Sequence, residues 1–83
     1  MKLDIMYNGW RNKSTWNVAL WINNDENNYN AAVDFMKNYK GKNPYKSFIH
    51  YMDLENWQTP DGIRWISHLL DYQALNEMMM ELK

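Results

Sequence analysis

Three tryptophans, Trp10, Trp16 and Trp21, fall in the stretch Asn8-Gly9-Trp10-Arg11-Asn12-Lys13-Ser14-Thr15-Trp16-Asn17-Val18-Ala19-Leu20-Trp21. Each brings a large apolar surface and one N–H that needs a partner. The stretch therefore builds either the heart of a small core or a contact surface, and its residues leave both uses open. A chain of 83 residues has material for one such core, so residues 1–83 read as a single domain. With 46% apolar residues it can bury enough surface to fold alone.

The chain contains no cysteine. Disulfides, thiolate metal sites and thiol chemistry are excluded together, and a domain this small without disulfides reads as cytoplasmic. The N-terminus has no continuous apolar segment of the signal-peptide type, and no apolar run approaches the roughly 20 residues that span a bilayer. A net charge of −1 is too close to neutral for a protein that coats nucleic acid or imitates its charge. The charge is unevenly spread. Residues 1–46 hold seven Lys or Arg against four acids, and residues 47–83 hold two against six.

Leu3, Ile5 and Tyr7 alternate with polar Lys2 and Asp4, a short strand pattern that ends at the Asn8-Gly9 turn. No second strand pattern follows. Residues 1–9 are thus expected to form an extended arm that lies on the core or pairs with another copy, making monomer and homodimer both compatible with the chain.

From Ser14 or Thr15 the signals become helical, either hydroxyl being able to cap a helix start. Trp16, Val18, Ala19, Leu20, Trp21 and Ile22 cover most of that helix, which implies a central, buried element. Asn24 is expected to cap a second helix with Asp25 and Glu26 in its first turn and Tyr29, Ala32, Val33, Met36 and Tyr39 on its apolar stripe. Lys37 and Lys40 then fall in the last turn and Gly41 in the stop position. Asn43-Pro44 opens a third helix that faces Tyr45, Phe48, Ile49 and Met52 inward and ends near Asn56. Thr59-Pro60-Asp61 repeats the pattern of cap, proline and acidic first turn, predicting a fourth helix that buries Ile63, Ile66, Leu69 and Leu70. Asp71 caps a fifth, with Leu70 and Leu75 spaced as a hydrophobic staple and Leu75, Met78, Met79 and Leu82 on one face. The expected fold is all-α: a compact bundle of about five short helices with an extended N-terminal arm.

Ser47, His50 and Asp53 are spaced at i, i+3 and i+6 on the third helix, which places neighbouring pairs within reach. A nucleophile there would lack an oxyanion site, because mid-helix amides are already bonded. No catalytic residue is expected. His50 with Asp53 and His68 with Asp71 are two His-x-x-Asp pairs whose N and O atoms suit a divalent ion; they are weak metal candidates for a small metal-dependent hydrolase, and no cofactor is expected.

Residues 37–46 gather Lys37, Lys40, Lys42 and Lys46 with Tyr39 and Tyr45 and no acid. That composition suits contact with phosphate or an acidic protein, although lysines are also ordinary at a helix C-terminus. Met78 and Met79 read as core. Met80 points elsewhere and, with Met52, suits an adaptable protein-binding patch.

The run from Asn8 to Glu26, with Asn8-Gly9-Trp10, Asn12 and Thr15-Trp16-Asn17-Val18-Ala19-Leu20-Trp21-Ile22-Asn23-Asn24-Asp25, resembles the opening of a family of small bacteriophage and mobile-element proteins that read NGWxNxETWxVxLWxxND. Leu70-Asp71-Tyr72-Gln73-Ala74-Leu75 is similar to a closing segment of many members, with Tyr72 where Trp is usual. The resemblance covers both ends of the chain, and the middle, between residues 30 and 60, is shorter than in that family. The resemblance implies a phage-type cytoplasmic protein acting inside an infected bacterium, and it supplies no catalytic residues.

Trp10 and Arg11 precede the first helix, where burial is less demanded, and aromatic and Arg side chains make interface hot spots. Trp10 tucked under the helix is the alternative. The expectation is a non-enzymatic protein that binds a host protein and modulates or inhibits it, an anti-defence role included. Its contact set is Tyr7, Trp10 and Arg11 with Lys37, Lys40, Lys42, Tyr45 and Lys46. A nucleic-acid-binding module using the Lys37–Lys46 loop is the alternative, and no membrane partner is expected.

Overall fold

Asn12 begins the first helix: its side-chain oxygen accepts the Thr15 N–H at 2.8 Å, and the helix, α1, runs Lys13–Asn23. This corrects the expected cap at Ser14 or Thr15, because Thr15 is drawn inward and its hydroxyl is used elsewhere. The computed structural model describes residues 9–83. The expected arm and Tyr7 therefore lie outside the described residues, apart from Gly9, whose φ of +91° belongs to the left-handed region that glycine tolerates.

α2 runs Glu26–Asn38 and is capped by Asp25, which accepts the Asn28 N–H, rather than by Asn24. It ends before Lys40. Tyr39 is extended, with φ −79° and ψ 135°; its ring stacks on Phe35 and its hydroxyl accepts the Asn43 N–H, so the chain leaves the helix early. Gly41 has a different role from the one expected, since a Cβ there would press on the Tyr39 hydroxyl and make that side chain shift.

α3 runs Pro44–Tyr51 with proline at its start, as the Asn43-Pro44 pair implies, although the Asn43 side chain makes no capping bond. It stops well before Asn56. Asp53 takes φ +61°, its N–H reaches His50 O and the Leu54 N–H reaches Ile49 O, the paired bonds of a left-handed helix stop. α4 runs Tyr72–Met80 and is capped by Asp71, which accepts the Ala74 N–H, as expected.

The fourth predicted helix is absent. Thr59-Pro60-Asp61-Gly62 closes a tight turn instead, with the Gly62 N–H on Thr59 O at 2.8 Å and Gly62 at φ +87°. Proline second and glycine fourth is turn chemistry, and here it overrides the reading as a helix start. The turn folds the chain back so that Thr59 N–H meets Ile63 O and Gln58 bridges Arg64 antiparallel. Among the described residues the domain is therefore mostly helical with four helices, and residues 52–71 form a long irregular connection.

α1 packs mainly on α2, and α3 on α4. Their shared core contains Val18, Ala19, Ile22, Ala32, Met36, Tyr45, Phe48, Ile49, Trp65, Leu70, Leu75, Met78 and Met79. Both members of the expected staple, Leu70 and Leu75, are in it. Trp16, Leu20 and Trp21 are only half-buried, and Tyr29 is exposed. α1 is thus not apolar all round. Its buried face includes the polar side chains Thr15 and Asn17, which hold the irregular connection. Among the described residues no helix is long and apolar enough to cross a membrane.

Candidate partner-binding surface

Four polar side chains at the start and along the face of α1 reach across to residues 59–71. Asn12 Nδ2 donates to Leu69 O at 2.7 Å, and Thr15 Oγ1 accepts the Asp71 N–H at 2.9 Å. Asn17 accepts from the Thr59 hydroxyl at 2.7 Å and donates to Asp61 at 2.8 Å, while the Trp21 indole N–H donates to the same Asp61 oxygen at 2.9 Å. A buried polar group without a partner costs a large desolvation penalty, so these bonds are what allow α1 to carry polar residues inward. The Asn17 donor, then the Trp21 indole, and more weakly Lys13 hold the Asp61 carboxyl below the usual carboxylate range. Most of the tryptophan-rich stretch is therefore occupied with holding the fold.

Trp10 and Arg11, expected together in one contact set, diverge. Trp10 is half-buried against the core and lines a cleft of about 630 Å³ with Tyr29, Ala74, Glu77, Met78 and Glu81 among others. Arg11 is exposed and its Nε lies 3.3 Å from Asp71 Oδ2, at the start of α4. Both thus border α4, at different places.

The basic loop is similarly divided. Lys37 pairs with Asp34 on α2 at 3.4 Å, an exposed contact of small energetic weight. Lys40 and Lys42 are exposed. Lys46 holds its ammonium 4.5 Å from the centre of the Tyr72 ring. Tyr45 is unavailable to a partner, contrary to expectation: it is fully buried and its hydroxyl donates to Trp65 O at 2.6 Å. Burial, and then the neighbouring Tyr72, push its phenol far above the ordinary value. Tyr45 falls one residue after the helix-start proline, on the inward face, where the helical spacing with Phe48 and Ile49 already places it.

Ser47, His50 and Asp53 do not converge. Ser47 Oγ bonds the Tyr39 hydroxyl at 3.1 Å, and Asp53 has left the helix. His50 Nδ1 is 2.8 Å from Glu55, a partner that the helix reading missed because it assumed that α3 continued to Asn56. The Glu55 carboxyl is held low by a backbone N–H and then by His50. His68 is exposed, and Asp71 is committed to the α4 cap and Arg11. Among the described residues no group of three or more His, Asp or Glu side chains is placed to hold a metal ion.

A second cleft, of about 730 Å³, lies between residues 41–44 and α4 and is lined by Lys42, Pro44, Tyr72, Asn76, Glu77 and Met80 among others. Its floor is anchored where Asn76 accepts the Tyr45 N–H at 3.0 Å. Met80 is 46% exposed there. Glu77 lines both clefts. The outer side of α4 is therefore a ridge with an aromatic cleft on the Trp10 side and an apolar, lysine-edged cleft on the other.

Residues 4–83 match the model described as a family of unknown function (DUF7249), and the chain belongs to that family. No curated protein and no solved structure matches it.

Proposed function

We propose that this family member is a small, non-enzymatic, phage-type binding protein that docks a host protein over the outer ridge of α4 and modulates it inside the bacterial cytoplasm. The observation that carries the reading is Glu77, which is shared by the Trp10 cleft and the Lys42 cleft and joins them into one surface. On that surface Trp10 and Lys42 are flanking contacts and Met80 is the exposed apolar contact of the Lys42 cleft, while Arg11 stands apart at the start of α4. A thioether repacks readily against varied partners, and aromatic and Arg side chains enrich the energetic centre of interfaces. The resemblance of Asn8–Glu26 to phage proteins supports a host protein, including a defence enzyme, as the partner.

The test is capture of tagged protein's partner from bacterial lysate, run beside Met80→Glu with Lys42→Glu. Both positions are exposed, so the variant should keep its helical circular dichroism. The expected result is one stoichiometric host protein that the variant loses. Equal capture by the variant would remove the α4 ridge as the docking site, and capture of nothing specific would remove the function.

A further inference from the structure

Glu77 lies in the last turn of α4 and Glu81 is the residue that ends it, so two carboxylates stand one turn apart at the negative pole of the helix. Like charges at that spacing also repel. No basic residue occupies the last turn of α4, and among the described residues neither glutamate makes an ion pair. Both are exposed. They work against the helix that carries them, and a local rule broken without compensation inside the protein marks a functional position.

Both carboxylates line the Trp10 cleft, as does Tyr29 of α2. Trp10 is half-buried and Tyr29 is 40% exposed, which leaves ring surface of each uncovered. Asn23 Nδ2, 3.2 Å from Met78 Sδ, ties the end of α1 to α4 beside them. The described residues that line the cleft include no Lys, Arg or His, so every charge on its wall is negative. Aromatic faces and carboxylates attract one class of group in common, a cation with an extended flat surface. A divalent metal ion would use the carboxylates and leave the rings idle, and an aliphatic side chain would do the reverse.

We propose that the Trp10 cleft receives an arginine side chain of the docked protein, its guanidinium stacked on Trp10 and Tyr29 and its N–H groups donating to Glu77 and Glu81. A guanidinium is planar, offers several donors along its edge and is weakly hydrated, so it uses both kinds of wall at once; a lysine ammonium is compact and strongly hydrated, and in an open cleft it gives up more. The source of the arginine rests on the reading of the α4 ridge as a docking surface. The chemistry of the cleft is a property of the residues that line it, and it can be measured without the partner.

The test is NMR titration of the protein with a blocked Gly-Arg-Gly tripeptide, followed at the Trp10 indole N–H, beside the same peptide carrying neutral citrulline or lysine in place of arginine. Saturable shifts are expected with arginine only. Glu77→Gln with Glu81→Gln should weaken binding about tenfold or more, and the same variant should raise the thermal midpoint of the free protein, because it removes the repulsion and the unfavourable dipole contact. Tyr29→Leu, at an exposed ring, should weaken binding about threefold while Tyr29→Phe retains it. No saturable shift, equal binding of citrulline or lysine, or a lowered midpoint in the double glutamine variant would each overturn the proposal, the last because the carboxylates would then be holding α4 themselves. Any of these would leave ridge docking standing, since that is read by the Met80→Glu with Lys42→Glu capture. Arginine binding with no host protein captured would support the chemistry of the cleft and overturn a host protein as its source.

Discussion

The Thr59 hydroxyl donates to Asn17 Oδ1 at 2.7 Å, joining two buried side chains 42 residues apart in the sequence. The same hydroxyl accepts the N–H groups of Asp61 and Ile63, so one oxygen holds the turn and ties it to α1. The joint explains how a chain with a long irregular connection keeps a single arrangement: the connection is clamped by side chains, not by a sheet or a helix of its own.

Removing the centre of that joint should be costly. Asn17→Ala strips a partner from Thr59 in a site with almost no solvent, and a loss of about 1–3 kcal/mol is expected. Urea unfolding measures it, and a double-mutant cycle with Thr59→Val should show coupling between the two positions. Additive effects would mean that the bond contributes nothing beyond its two side chains.

Asp61 makes the joint sensitive to acid. Its folded carboxyl is held low by Asn17 and Trp21, so its contribution is complete above the unfolded value of about 4 and is lost as pH falls through the folded value. Glu55, also held low, acts with the same sign. The urea midpoint should therefore fall more steeply on acidification below about pH 4 in the parent than in Asp61→Asn, and the gap between them should narrow. A gap that stays constant with pH would show that the charge on Asp61 is immaterial.

Tyr45 gives the opposite slope. Its phenol is raised by burial, so its neutral form stabilises the fold fully below the unfolded value of about 10, and that contribution is lost as pH rises further. Tyr45→Phe orphans the Trp65 carbonyl and should cost about 1–2 kcal/mol at neutral pH. The same variant should lose less stability than the parent between about pH 10 and 11, as read by thermal melting.

Arg11 and Asp71 separate a surface pair from a cap. Arg11 is exposed, so Arg11→Ala should change stability by less than about 1 kcal/mol. Asp71→Ala removes the acceptor for the Ala74 N–H at the start of α4 and should cost about 1 kcal/mol or more. Chemical unfolding of the two variants side by side checks the ordering. If the Arg11→Ala cost were the larger, the ion pair and not the cap would be holding the start of α4.

Where a residue acts on its own neighbours, its role was readable along the chain. Pro44 opens α3, Asp71 caps α4, and the inward faces Tyr45, Phe48, Ile49 and Leu75, Met78, Met79 follow helical spacing. Thr59-Pro60-Asp61-Gly62 was ambiguous because the same first three residues open a helix or a turn, and Gly62 together with a distant acceptor on Asn17 decides between them. The candidate surface was half legible. Lys42 and Met80 were singled out by composition, whereas their approach across the 41–44 cleft depends on how α3 lies on α4, and Glu77, which links the two clefts, carried no sequence signal.

Helical class, the start and cap signals at Pro44 and Asp71 and the absence of thiol chemistry follow from residue types and short-range spacing alone, because propensity, capping and periodicity act within one or two turns. The use of Asn12, Thr15, Asn17 and Trp21 as a clamp, the separation of Trp10 from Arg11 and the contact of Phe35 with Tyr51 were settled by folding. Each depends on a partner far away in the chain, and a buried polar or aromatic group takes its role from whichever partner the packed core brings within bonding distance.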